Sequence, residues 1–303
     1  MAAEKTTGIV LRVIAFSETS CIVTMMTRDF GKITTLAKGA RRPKSPFEAA
    51  LDVLAICRIV FLDKSSGAMG LLTEAKLERR FRSASASLTR LYAGYYVIEL
   101  LNNLTDEGDP SPELFDFAIE TITAIDSPDQ DDSRLRETLL RFELKTLELL
   151  GHLPMLTKCV SCGREKTTMN RVSFGLNEGG ILCKSCCHGK SNIVSLSADA
   201  LQFLLDAVGG QIGADHLNSD NWNGKTVRGS VRQENLSNQF GSNKPEISES
   251  VQTDTSVAQQ ELTTEQPVID TNNSLTEVRR LVKKYITHLL GFQPKLHKFL
   301  RNL

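Results

Sequence analysis

The chain has 303 residues, 41% of them hydrophobic and 24% charged. That is enough apolar material for two or three domains with real cores, and it excludes collagen-like and wholly disordered chains. Lys+Arg and Asp+Glu both number 36, so the net charge is zero and a uniformly basic nucleic-acid binder is excluded as well.

The neutrality sums unlike segments: residues 1–90 carry seven more cations than anions, 91–157 ten fewer and 274–303 six more. Such asymmetry hints at a polyanion partner, against the plainer reading that charge varies from segment to segment. Residues 1–80 read as β-structure. Thr7 to Phe16 alternates, with Val10, Arg12 and Ile14 on one side and Ile9, Leu11 and Val13 on the other. Ser20–Thr27 and Gly31–Ala37 flank the hairpin turn Arg28-Asp29-Phe30-Gly31, and Asp52–Leu62 and Met69–Leu77 follow. Five short strands with small turns predict an OB-type barrel rather than a βαβ unit.

After the third strand, Lys38, Arg41, Arg42 and Lys44 share eight residues with Gly39 and Pro43. An exposed, non-helical loop of this charge suits the neutralisation of phosphates without reading sequence. Arg79, Arg80 and Arg82 form a second basic cluster at the barrel exit. On charge alone a merely solvated loop fits equally well. Few exposed aromatic platforms are evident beside the cations, since Phe16, Phe30, Phe47 and Phe61 all suit core positions.

From Ser83 the apolar period changes from two to 3.6, and residues 81–157 predict a helical bundle. One stripe is Leu88, Leu91, Tyr92, Tyr95, Ile98 and Leu101; a second runs from Leu114 to Ile125 and a third from Leu135 to Leu150. The acidic run Asp106-Glu107-Gly108-Asp109 reads as a solvated link between helices. Residues 191–210 predict a further bundle helix capped by Ser197, and 211–273 lose all periodicity, reading as a disordered insertion. Ser274-Leu275-Thr276-Glu277 matches a capping box and opens a basic helix, 274–303, that returns to the bundle.

Five of the seven cysteines lie in residues 158–190. Cys159-Val-Ser-Cys162 and Cys183-Lys-Ser-Cys186 have zinc-site spacing, because two intervening residues let a tight turn present both sulfurs to one ion. Four thiolates close a tetrahedral shell with no open position, which predicts a structural Zn²⁺ in an inserted zinc ribbon. Cys187 and His188 compete with Cys186 for the fourth place, and the two-residue spacing favours Cys186. Free thiols or a disulfide are the competing reading. Cys21 and Cys57, within strands, read as small core residues. The predicted class is therefore α+β multi-domain: an N-terminal OB-type β-barrel followed by a helical bundle carrying an inserted zinc ribbon.

No phosphate-binding glycine loop, dinucleotide fingerprint or HExxH motif occurs, and the five histidines are scattered, so a non-enzyme is expected. A metal-dependent nucleic-acid enzyme or a zinc-ribbon interaction adaptor are the alternatives. No apolar run reaches the roughly 18 residues of a membrane helix. Met1 to Val13 holds no uninterrupted apolar core, so a cytoplasmic protein without a membrane partner is expected.

In the order of its parts, with the loop Ala37-Lys38-Gly39-Ala40-Arg41-Arg42-Pro43-Lys44-Ser45 and the paired cysteines as its most specific features, the chain resembles the RecO family of bacterial DNA-repair mediators. The resemblance spans nearly everything outside 211–273. It implies binding of single- and double-stranded DNA, ATP-independent annealing, contact with the acidic tail of single-strand-binding protein, and pairing with RecR to help load RecA. It also implies a nucleoid-associated site of action. Carried onto this sequence, it makes Lys38, Arg41, Arg42 and Lys44 backbone-contacting DNA residues. The basic helix from Arg279 becomes a candidate for tail binding.

Overall fold

In the computed structural model the described residues are 3–43, 45, 47, 50–63, 69–83, 87–165, 170–209 and 271–300. Strands β1 (Ala3–Ala15), β2 (Cys21–Thr27), β3 (Gly31–Ala37), β4 (Ile56–Leu62) and β5 (Gly70–Arg79) close into a barrel in the order β1-β2-β3-β5-β4. β1 is long enough to pair with both β2 and β4. The ring closes through a short parallel contact, Thr35–Ala37 of β3 against Gly70–Leu72 of β5. This is the OB-like barrel the strand pattern predicts.

Simple alternation along β1 fails at one point. A bulge between Val10 and Arg12 shifts the register, so Val10 points into the barrel while Arg12 and Ile14 turn outward and are exposed. Ile9 and Leu11 also face outward, yet both are buried, because the helices cover that side of the barrel and share one core with it.

The turn into β3 is built on Gly31, whose φ is +66°, and a Cβ there would lie 2.3 Å from the Asp109 carbonyl oxygen. Only glycine allows both the backbone and the approach of the acidic link. That link is docked instead of free: Gly108 N–H donates to Lys32 O, and Thr34 Oγ1 donates to Glu107 Oε1 at 2.7 Å.

The helical part comprises α1 (Leu88–Leu104), α2 (Pro112–Ile125) and α3 (Asp132–Leu149), capped by Ser87 and Asp131 with Pro112 opening α2. Lys32 Nζ reaches across from β3 to donate to the carbonyls of Asn102 and Thr105, placing a cation where α1 ends. α1 buries more than one stripe, since Ala93, Gly94, Tyr96, Val97 and Leu100 are inside too, whereas Leu88 at its start is 61% exposed. A helix wedged between barrel and bundle has no single inner face.

β6 (Arg171–Gly175) and β7 (Gly180–Leu182) form a hairpin, followed by the single turn α4 (Lys184–Cys187). β8 (Ile193–Ser197), an addition to the predicted elements, pairs antiparallel with β6 to complete a three-stranded sheet. α5 (Ala198–Val208) starts directly from it, and α6 (Thr271–Leu290) packs on α5, β8 and α3 before a 3-10 turn, Lys295–Lys298. α6 begins ahead of the predicted capping box, so Ser274 lies inside the helix. Glu277 caps a different helix. Its carboxylate accepts from Ser197 N–H (3.2 Å) and Ser197 Oγ (2.5 Å), while Ser197 Oγ accepts from Ala200 N–H. The predicted stripe of α6 is buried except Leu289, which is exposed in the last turn while Leu290 beside it packs on the core. The expectation for 211–273 falls, up to 270, outside the described residues. No helix among the described residues is long and apolar enough to cross a membrane.

Candidate nucleic-acid interface and metal centre

The basic loop leaves β3 through Gly39, whose φ is +73°. Its backbone is then fastened to the tip of the β1–β2 hairpin. Gly39 N–H donates to Ser20 Oγ (3.3 Å), Arg41 N–H to Thr19 O (3.0 Å), and Arg41 Nη1 to Ser17 O (3.2 Å). Ser45 and Phe47 are buried beneath it, Phe47 within the barrel core. Lys38, Arg41, Arg42 and Pro43 remain exposed, so the loop is a fixed ledge with its charges in solvent. Lys44 lies outside the described residues. Below the ledge, Val13, Ala15, Arg41, Arg42 and Leu51 line an open groove of about 570 Å³.

The second cluster divides. Arg79 Nη1 donates to Thr123 Oγ1 (2.8 Å) and its guanidinium approaches Asp126, the residue that ends α2. Asp126 Oδ1 also accepts the backbone N–H groups of Arg82 and Ser83, so the barrel exit is wrapped around one carboxylate. Arg79 thus joins barrel to bundle. Arg80 instead pairs with Asp52 at 3.3 Å, and Asp52 lines the groove below the basic ledge. The side chain of Arg82 is exposed.

The aromatic residues depart from expectation at one position. Phe47 and Phe61 are buried, and Phe30 packs edge-on against Phe61 with ring centroids 5.3 Å apart. Phe16 is 62% exposed, because the strand ends at Ala15 and the residue crowns the hairpin tip beyond the last core layer.

At the β6–β7 hairpin the sulfurs of Cys159, Cys162, Cys183 and Cys186 lie within 4.8 Å of one another, with Cys162 Sγ and Cys183 Sγ 3.8 Å apart. Four Zn–S bonds of about 2.3 Å place tetrahedral sulfurs roughly 3.8 Å apart, so the donor set fits that ion in chemistry and size. Cys187 turns away, donating to Lys184 O, and His188 is exposed outside the cluster. Gly163, at φ +71°, donates to Cys159 O and closes the first turn. Burial pushes the Cys159 thiol up, but N–H groups of Cys183, Cys162 and Ser161 outweigh it and bring it to about 6. Cys183 is lowered by the Cys186 N–H, while hydrogen bonding to Cys183 pushes Cys186 up to about 12. A cation bound by the four sulfurs would displace their remaining thiol protons, that of Cys186 among them. Cys21 and Cys57 sit in the barrel core, and Cys57 donates to Ala50 O.

A third site joins residues far apart in the chain. Tyr96 OH donates to Glu143 Oε1 (2.6 Å) and lies 2.8 Å from His297 Nε2, all three being buried. They floor a pocket of about 310 Å³ rimmed by Arg279, Arg280 and Lys283. Arg279 and Lys283 lean inward, donating to Arg136 O and His297 O, so the basic face of α6 is partly turned into the bundle. Burial, then Lys283 and Arg279, hold His297 down at about 3; burial raises Glu143. Between pH 6.5 and about 3 the unfolded chain therefore carries a proton on His297 that the folded chain lacks, and this contribution destabilises the fold as pH falls. Glu143, raised, acts in the opposite sense. His297→Gln should accordingly make the melting temperature fall less steeply between pH 7 and 5 than in the wild type, measured by thermal unfolding at fixed ionic strength. An unchanged slope would refute the buried neutral imidazole.

Comparison with known proteins supplies the remaining observation. The family model for the N terminal of Recombination protein O matches residues 1–81, and that for its C terminal matches 85–228. The chain is 47% identical over 198 residues to the DNA repair protein RecO of Rhodopirellula baltica, covering 65% of this chain and 72% of that one. It is 29% identical over 229 residues to RecO of Syntrophus aciditrophicus, covering 75% and 86%. Over 200 residues it is 33% identical to RecO of Halalkalibacterium halodurans, covering 66% and 75%.

Proposed function

Because the chain belongs to the RecO family of DNA repair proteins, we propose that it works as a non-enzymatic recombination mediator. It binds single- and double-stranded DNA, anneals complementary strands without ATP, and with RecR helps load RecA onto strands coated by single-strand-binding protein. The observation that carries this reading is the basic ledge, whose backbone is fixed to the barrel while Lys38, Arg41 and Arg42 stay in solvent. Cations on a fixed backbone neutralise phosphates without sequence preference, and the loop itself need not be ordered at the moment of binding. Lys44 belongs to the same loop, and Arg79, Arg80 and Arg82 extend the positive surface. Arg80 is held beside the groove by its ion pair with Asp52.

The acidic tail of single-strand-binding protein is assigned to the pocket under α6, where Arg279, Arg280 and Lys283 rim a cavity whose lining also includes the apolar side chains of Leu275 and Leu300. Zn²⁺ in the four-thiolate site is structural, since a closed shell leaves no position for substrate. Work in the cytoplasm, on the nucleoid, follows from this activity.

The test is annealing of complementary oligonucleotides coated with single-strand-binding protein, without ATP, at two salt concentrations. Acceleration that weakens with salt is the expected result. Neither acceleration nor DNA binding would leave a zinc-containing interaction module and overturn the mediator reading.

A further inference from the structure

The exposed Phe16 sits where the basic ledge is anchored. The hairpin tip is rigid: Phe16 N–H and Ser17 N–H both donate to Ser20 O, and Ser20 N–H donates to Ser17 Oγ. Arg41 then bonds to Ser17 O through its guanidinium and to Thr19 O through its backbone, so a cation is held at the residue following Phe16. After the bulge, Arg12 and Ile14 alternate along the end of β1, Phe16 follows just past it, and all three are exposed. The result is an aromatic ring in solvent, on a braced turn, with the Arg41 guanidinium held at the next residue. An exposed phenylalanine on a fixed tip gains nothing for the core, and the Arg41 guanidinium bound at Ser17, with Arg42 next to it in the chain, outnumbers the one exposed carboxylate of the tip, Glu18, which suits a polyanion with flat apolar units.

Resting on the DNA-binding reading above, we propose that Phe16 is a stacking platform for an unpaired base, making the hairpin tip and ledge a subsite that prefers single-stranded nucleic acid. The division of labour follows from the chemistry. The cations meet phosphates of either form, with affinity that falls with salt. A phenyl face can meet only a base that has left the stack, and stacking involves no counterion release.

The experiment uses the full chain and labelled probes: an oligothymidylate, the same length of abasic single strand, and a duplex, each titrated from 50 to 200 mM salt. Phe16→Ala is expected to weaken oligothymidylate binding about 5- to 150-fold, the range for loss of one stacked base. It should leave the salt slope, duplex binding, abasic-strand binding and melting temperature unchanged, while Phe16→Trp retains the affinity. Unchanged oligothymidylate binding by Phe16→Ala, or equal losses on all three probes, overturns the stacking role. If Arg41→Ala/Arg42→Ala then still weakens every probe, the DNA-binding reading survives without it; if that double variant also binds as the wild type does, both fall.

Discussion

Cys159→Ser is expected to lower the melting temperature by about 6–12 °C, the equivalent of about 3 kcal/mol in a chain of this size. Cys159 is the buried member of the cluster, at 3% exposure, and Cys162 at the other end of the turn is exposed. Serine would leave the ion three thiolates, and it would remove the sulfur that accepts the Cys183 N–H at 3.4 Å. The damage spreads through the ribbon into the fold. Val160 N–H donates to Ile181 O, tying the first knuckle to β7, and β7 pairs with β6. Phe174 of β6 then packs edge-on against Tyr285 of α6, centroids 5.7 Å apart. Loosening the ion site thus reaches the main core. Chelation of zinc-loaded protein should reproduce the fall, and reloading should reverse it while releasing the Cys186 proton, so that affinity for the ion drops as pH falls. Metal analysis, thermal unfolding and proton release check the three parts. Zinc-free protein that melts like the wild type would refute the structural role.

The features legible in the sequence were those set by neighbours along the chain. Paired cysteines two residues apart mark a turn, and β-branched runs around Arg28-Asp29-Phe30-Gly31 mark a hairpin, because one local geometry determines each. The failures share a different cause. Whether Val10 and Arg12 share a face depends on a single extra residue in β1, and no side-chain pattern announces it. β8 escaped notice because it is five residues long and runs straight into the helix capped by Ser197. Leu88 and Leu289 lie at the outer ends of their stripes, in the first turn of α1 and the last of α6, and are exposed. Tyr96, Glu143 and His297 meet across 47 and 201 residues of chain, a distance over which spacing carries no information. Phe16 is the instructive case: at a strand end an aromatic residue reads equally well as the last core layer or the first exposed one. Only the position of the barrel rim decides between them.

For Arg41→Ala/Arg42→Ala the expected result is a shallower dependence of single-strand affinity on salt. Each cation that neutralises a phosphate contributes a slope of about 0.7 on single strands, so the pair contributes about 1.4. Between 50 and 200 mM salt the wild type would then lose about sevenfold more affinity than the variant. The two arginines are separable, because their structural duties differ. Arg42 side-chain nitrogens make no hydrogen bond or ion pair among the described residues, whereas Arg41 also donates to Ser17 O and so braces the hairpin tip. Arg42→Ala should therefore act through charge alone, and Arg42→Lys should restore both slope and affinity. Arg41→Lys keeps the charge but not the planar fork that reaches the carbonyl, so it should restore the slope while recovering annealing only in part. Equal recovery by both lysine variants would show that the brace is irrelevant. Unchanged slopes in the double alanine variant would remove the ledge from the DNA interface and shift attention to the surface around Arg80.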